Sequence, residues 1–185
     1  MPKVSIPDWK SIHTIVFDFD GVFTDNKVWV EQDGGETVRC DRGDGLAFDM
    51  LRHFIAQRDW KINYFILSKE KNLVVSSRAS KLEVPCEQGV SNKFDYLKAY
   101  LADIDKSPQG LVYVGNDLND LAAMQLAGFS VAPSDAHVLV KGQANIVLEQ
   151  KGGEGFVRAF LEKILGIEQM SIDEVVHFLN FKKVF

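Results

Sequence analysis

The sequence has little cysteine: only Cys40 and Cys86 occur in 185 residues. No disulfide framework is therefore implied, and a reducing compartment fits. It has no uninterrupted apolar stretch approaching the length that crosses lipid, which excludes a membrane-spanning segment and leaves no membrane partner expected. Its first residues, Met1 to Trp9, lack the apolar core of a secretory signal, so a cytoplasmic location is expected. An excess of basic charge is also missing, with 21 Lys and Arg against 26 Asp and Glu and a net charge of −5. Proteins that live on phosphate-backbone contacts usually carry the opposite sign, so no nucleic-acid partner is expected. No Pro-rich linker, internal repeat or low-complexity stretch divides the chain, and a single domain over residues 1–185 is expected. What is present is 46% apolar and 25% charged, the balance of an ordinary soluble globular protein with a sizeable core.

Short apolar runs alternate with amphipathic stretches. The runs at residues 13–18, 62–68, 110–115, 129–132 and 145–148 are rich in Val, Ile, Phe or Tyr and mostly too short for a stable helix, so they read as strands. Helical spacing recurs in Leu46, Ala47, Met50, Leu51, Phe54 and Ile55, in Phe94, Leu97, Leu101 and Ile104, and in Phe156, Val157, Phe160, Leu161, Ile164 and Leu165. This alternation predicts an α/β fold, a parallel sheet with helices on both faces whose sites form outside the carboxyl ends of the strands. One segment departs from it: residues 27–31 and 36–40 read as a hairpin around Gln32-Asp33-Gly34-Gly35. An isolated hairpin is marginal in water, so this one is expected to pack on something, with Trp29 at its candidate assembly surface. Ile172, Val175, Val176 and Leu179 give a short final helix within a tail of about 167–185.

The strongest local signal is Asp18-Phe19-Asp20-Gly21-Val22-Phe23-Thr24-Asp25, directly after the first apolar run. Residues two apart on a strand share a face, so Asp18 and Asp20 point together and Phe19 points away. Two such carboxylates repel unless a cation or proton lies between them. Solvated acids at a strand end are the plain alternative. Three further groups end or follow later strands: Ser68 closes its run, Lys93 stands where a helix begins, and Asp117 and Asp120 follow the run ending at Val114. Each has a dull reading alone, as cap or surface charge. Together they are the inventory for binding a phosphate beside a hard divalent cation, and oxygen ligands of this kind suit Mg²⁺.

Four motifs in this order resemble the haloacid dehalogenase superfamily of phosphohydrolases, whose opening signature has the form DxDGxxTD. The resemblance covers nearly the whole chain and implies a three-layer, Rossmann-like domain. It implies that Asp18 attacks phosphorus and that Asp20 protonates the leaving oxygen and later activates water. Ser68 and Lys93 would hold the phosphoryl oxygens. Mg²⁺ would be held by Asp18, the backbone carbonyl of Asp20, and Asp117. Neither the interval from Asp25 to Ser68 nor that from Ser68 to Lys93 has room for the cap domain of many relatives. A neighbouring subunit is then expected to supply the missing wall of the site.

Cys40-Asp41-Arg42-Gly43-Asp44-Gly45, Gln88-Gly89-Val90 and Lys151-Gly152-Gly153-Glu154-Gly155-Phe156-Val157-Arg158 resemble the cap-less branch of that superfamily. This branch holds 3-deoxy-D-manno-octulosonate 8-phosphate phosphatases, nonulosonate 9-phosphate phosphatases and the phosphatase-like domains of acylneuraminate cytidylyltransferases. The resemblance implies a homotetramer acting on a phosphorylated 2-keto-3-deoxy sugar acid. It implies that Glu70 contacts the sugar acid with Arg78 and Lys81 (the latter from a neighbour), helical spacing bringing the three toward one side; a salt-bridged surface helix is the alternative. Arg158 is a further candidate contact. Ser68-Lys69-Glu70-Lys71 is closer to the nonulosonate pattern than to the Gly-Arg pair usual in octulosonate enzymes. Lys69 replaces a common Gly, and Asn116 stands where many relatives have Asp. The histidines have no ligand-like spacing, nothing nearby activates either cysteine, and the glycines of 152–155 read as a flexible lead-in or an anion cradle. Two rivals remain: a non-catalytic oligomerisation domain associated with a cytidylyltransferase, and a phospho-accepting receiver domain. The latter places its acceptor Asp on a later strand than the first.

Overall fold

A computed structural model describes residues 6–180. The elements run β1 (Thr14–Phe17), β2 (Thr24–Val30), β3 (Glu36–Cys40), α1 (Gly43–Arg58), β4 (Asn63–Leu67), α2 (Leu73–Leu82), β5 (Cys86–Glu87) and α3 (Lys93–Asp103). They continue with β6 (Leu111–Val114), α4 (Leu121–Leu126), β7 (Phe129–Ala132), α5 (Val138–Gln143), β8 (Ile146–Val147), α6 (Phe156–Leu165) and α7 (Ile172–Leu179). All five apolar runs read as strands are strands; β7 keeps the expected bounds, and the other four lose one residue at each end. The helices α4 and α5, six residues each, are too short to announce themselves by periodicity. Residues 181–185 of the expected tail lie outside the described residues.

Six strands form one parallel sheet in the order β5-β4-β1-β6-β7-β8, which puts β1 and β6 at its centre. The two-residue side-chain period then divides the core. Ile15, Phe17, Ile66, Val112 and Val114 face α1, α2 and α6, where Phe48, Leu51, Val75, Phe156 and Phe160 are buried. Val16, Phe65, Leu67 and Tyr113 face the opposite layer, with Leu97 and Leu101 of α3, Met124 of α4 and Val140 of α5. The result is three layers with two apolar interiors, the α/β architecture that the alternation predicts.

The hairpin β2–β3 forms a separate two-stranded sheet. Its first strand starts at Thr24, three residues before the expected start, and its register shifts between Thr24 and Val28, where Asn26 takes φ 60°. The bulge bends the ribbon. Val38 and Cys40 pack on the core at its base, while Val28, Trp29 and Val30 are 49%, 55% and 65% exposed.

Candidate active site

Parallel strands bring their carboxyl ends to one edge, and the polar groups of the sequence motifs meet there. Asp18 follows β1 and still pairs with β6 through its N–H to the Val114 carbonyl at 2.8 Å. Phe19 turns away into an aromatic cluster, stacked on Phe23 with ring centroids 5.8 Å apart. Anchoring that ring fixes the side on which Asp18 and Asp20 emerge. The chain reverses at Gly21, φ +75°, where an added Cβ would lie 1.9 Å from Asn116 Nδ2.

The glycine-rich loop has a different task from an anion cradle. A Cβ on Gly152 would lie 2.0 Å from the Gly21 carbonyl oxygen, and the Gly153 N–H donates to the Val22 carbonyl at 3.1 Å. Asp135 Oδ1 accepts from the Gly152 N–H at 3.0 Å. The loop is thus a backbone-to-backbone buttress under the Gly21 turn, and glycine is what permits the approach.

Lys93 opens α3, whose cap is Asn92, and is buried with Nζ 2.6 Å from Asp18 Oδ1 and 2.8 Å from Asp120 Oδ1. Asp18 Oδ1 also accepts from the Phe19 N–H at 2.8 Å. Asp120 is enclosed: Oδ1 takes the Tyr113 hydroxyl at 2.7 Å as well as Lys93, and Oδ2 takes the N–H groups of Asn116 and Asp117 at 2.9 and 3.2 Å. Ser68 is buried, and its Oγ accepts from the Glu70 N–H at 3.0 Å, which leaves its hydroxyl hydrogen to donate.

Above these groups lies a cavity of about 280 Å³. Asp18 and Asp20 reach it from below. Lys27, Val28, Glu36 and Val38 wall it from the hairpin, Lys69, Glu70 and Asn72 from the loop after β4, and Asn116, Asp117 and Asn119 from the loop after β6. Asn72 Nδ2 donates to Glu36 Oε2 at 2.7 Å and joins two of those walls.

Burial pushes Asp18 up, to about 8, helped by the charge of Asp120, while Lys93 pulls it down. One ammonium faces two buried carboxyl groups, so both ionise together near neutral pH only when a further cation joins Lys93 at the cavity floor. Asp20 is raised to about 6, first by burial and then by the charge of Glu70, with Lys93 opposing and Glu36 adding to the rise. That suits a carboxyl able to give a proton near neutral pH. Burial raises both thiols, so neither cysteine is activated.

Among the described residues no three His, Cys, Asp or Glu side chains gather around a metal-sized position. A cation here would use two carboxylates at most, with neutral oxygens beside them. Asn116 offers one: the residue is 7% exposed, it faces the cavity, and its Oδ1 is buried with no hydrogen-bond partner. Asp117 is exposed, and its Oδ1 accepts from the Leu118 N–H at 2.7 Å as a helix cap. A buried carboxyl that ionises near neutral pH only beside a further cation, and the orphaned amide oxygen, fit a hard divalent ion.

The remaining candidate residues are dispersed in this chain. Glu70 lines the cavity but precedes α2, because Asn72 holds extended backbone (ψ 141°) and caps the helix. Helical spacing therefore does not carry Glu70 to the side of Arg78 and Lys81. Arg78 turns inward: Nη2 donates to the Asp41 carbonyl at 2.5 Å and stands 3.9 Å from Asp44 Oδ2. Lys81 is exposed on the same helix, and Arg158 Nε pairs with Glu162 at 2.8 Å. Sequence reading placed Asp120 among the polar groups of the site without an individual role, and gave none to Tyr113 or Glu36. The three-residue spacing from Asp117 to Asp120 and a hydroxyl-bearing ring inside an apolar strand were the available signals for the first two; none marked Glu36.

A profile of haloacid dehalogenase-like hydrolases matches residues 52–160. A 3-deoxy-D-manno-octulosonate 8-phosphate phosphatase of Salmonella typhi is 31% identical over 166 residues, which cover 89% of this chain and 85% of that one. A putative haloacid dehalogenase family hydrolase of Streptomyces avermitilis superposes with a TM-score of 0.81 at 37% identity, over 93% and 95% of the two chains. The cobalt-bound deoxy-D-mannose-octulosonate 8-phosphate phosphatase of Haemophilus influenzae gives a TM-score of 0.79 at 26% identity, over 94% of this chain and 100% of that one.

Proposed function

The chain belongs to the haloacid dehalogenase-like hydrolases, and from that premise we propose that it is a Mg²⁺-dependent phosphomonoesterase of a 2-keto-3-deoxy sugar acid phosphate. The observation that carries the reading is the Asp18–Lys93 pair at 2.6 Å at the floor of a cavity that Asp20 also lines. Asp18 forms a bond to phosphorus as the ester P–O bond breaks, and Asp20 gives its proton to the departing alkoxide. Asp20 then takes a proton from water as that water attacks the aspartyl phosphate, freeing inorganic phosphate and restoring Asp18. Lys93 and the Ser68 hydroxyl hold the phosphoryl oxygens. Asp18, the Asp20 carbonyl, Asn116 and Asp117 would hold the cation, which when bound offsets the repulsion between the carboxylate and the anionic ester.

The substrate for which those relatives are named favours the eight-carbon octulosonate 8-phosphate. The Glu70 carboxylate in the cavity wall favours a nonulosonate 9-phosphate as the second reading, since it accepts from additional sugar hydroxyls. Lys27 and Lys69 suit the carboxylate of either acid. Lys81 and Arg158 would serve only from a neighbouring subunit, within a cytoplasmic homotetramer, whereas Arg78 is held inward by Asp41 and Asp44. Supporting that assembly, Val28, Trp29 and Val30 are exposed on the hairpin, and Leu73, Leu118, Val138 and Leu139, exposed as well, follow the carboxyl ends of three strands of the sheet.

Turnover of an aryl phosphate and of both sugar acid phosphates with Mg²⁺, by wild type and Asp18→Asn, tests the reading. Loss of at least about a thousandfold in Asp18→Asn supports it. No turnover of any ester by wild type would leave the domain as a non-catalytic assembly unit.

A further inference from the structure

We propose that Tyr113 is a positioning residue, holding Asp120 so that Lys93 stays directed at Asp18; the inference rests on the phosphatase reading above. Tyr113 is completely buried at the centre of the sheet, on β6. Its neighbours Val112 and Val114 face the layer of α1 and α6, so alternation turns the phenol toward the layer where α3 brings Lys93. There its hydroxyl donates to Asp120 Oδ1 at 2.7 Å, the same oxygen that takes Lys93 at 2.8 Å.

The sharing of that oxygen is the substance of the proposal. Asp120 has no solvent, and its lone pairs are met by four donors: Lys93, Tyr113 and the N–H groups of Asn116 and Asp117. Only one of the four is a cation, and that cation is nearly equidistant from Asp18 and Asp120. A phenol drawing on Oδ1 weakens the hold of Asp120 on the ammonium. Without it Asp120 would capture Lys93 and leave Asp18 and the phosphoryl oxygens with less positive charge. Burial beside Asp120 pushes the phenol well above its ordinary range, so it remains a donor. A ring kept merely to fill the core needs no hydroxyl at this point, and Phe would fill the same space.

The test is Tyr113→Phe in the Mg²⁺-loaded protein, with kcat and KM for an aryl phosphate, inhibition by inorganic phosphate, and the thermal midpoint. Expected are a kcat lower by about tenfold, the worth of one hydrogen bond to a charged group, a KM changed by less than the kcat, and weaker phosphate inhibition in a folded protein. A folded variant with wild-type kcat and phosphate inhibition would reduce Tyr113 to core packing and overturn the proposal. Against the chance that Tyr113→Phe does not fold, 3-fluorotyrosine at position 113 gives a second readout. Its fluorine resonance should move when inorganic phosphate binds and redistributes the Lys93 contacts; an unmoved resonance at saturating phosphate overturns the proposal. Absence of all turnover in wild type would count against the phosphatase reading, and the fluorine experiment would still decide the role of Tyr113.

Discussion

The Asn116 amide lies against Gly21 so closely that a methyl group on that glycine would fall 1.9 Å from Asn116 Nδ2. The contact fixes the amide plane and leaves the buried Oδ1 without a protein partner. If that oxygen faces the cation, Asn116→Asp adds a negative charge at a position already shaped for oxygen ligation. Mg²⁺ binding to the free enzyme, measured by calorimetry without substrate, should tighten by about tenfold, in line with charge-dependent tuning of carboxylate sites. Unchanged affinity would remove Asn116 from the ligand set.

Glu70 is the strongest neighbouring charge raising Asp20. Neutralising it in Glu70→Gln eases ionisation of Asp20, so the proton needed by the leaving group is lost at a lower pH. The alkaline limb of kcat/KM should move down by about half a pH unit. A limb that stays in place or moves up would show that Glu70 does not act on Asp20.

Asp44 is 1% exposed, and Arg78 stands 3.9 Å from its Oδ2. Burial raises it to about 7, with Arg78 opposing the rise, Asp41 adding to it and the Arg158 backbone N–H opposing it. The folded protein therefore binds a proton more tightly than the unfolded chain, whose Asp titrates near 3.8. Stability contributed this way is complete below that value and declines as pH rises toward about 7, by at most about 1.4 kcal/mol per pH unit. Asp44→Asn should flatten this decline in denaturant melts between pH 4 and 8. An equally steep decline in the variant would place its cause elsewhere.

Trp29 is 55% exposed at the hairpin, so Trp29→Glu should leave the domain folded. Placing a charge in an apolar contact between copies should shift the protein toward smaller species in sedimentation velocity. Identical sedimentation of variant and wild type would move the assembly surface off this hairpin.

Much of this architecture was legible from short-range pattern. Runs such as Thr14–Phe17 and Leu111–Val114 are fully buried strands, and such strands read as continuous apolar stretches. The hairpin was legible from its Gly34-Gly35 turn, but its bulge was not, because left-handed Asn26 answers to the base of the ribbon and to no local signal. Asp18, Asp20 and Lys93 were legible because a parallel sheet delivers every strand's carboxyl end to one edge. Glu70 failed to share a face with Arg78 because the cap at Asn72 decides where α2 starts.

By itself the sequence determined the α/β class, the edge at which chemistry gathers and the acids and ammonium found there. These follow from periodicity and from residues adjacent in the chain. Tertiary structure alone decided that Tyr113 and Lys93 share one Asp120 oxygen, that Asn116 is the buried orphan while Asp117 caps a turn, and that Arg78 turns inward to Asp41 and Asp44. The physical reason is that a buried polar group settles on whichever partner the packing of distant segments brings within about 3 Å. No local spacing encodes that distance.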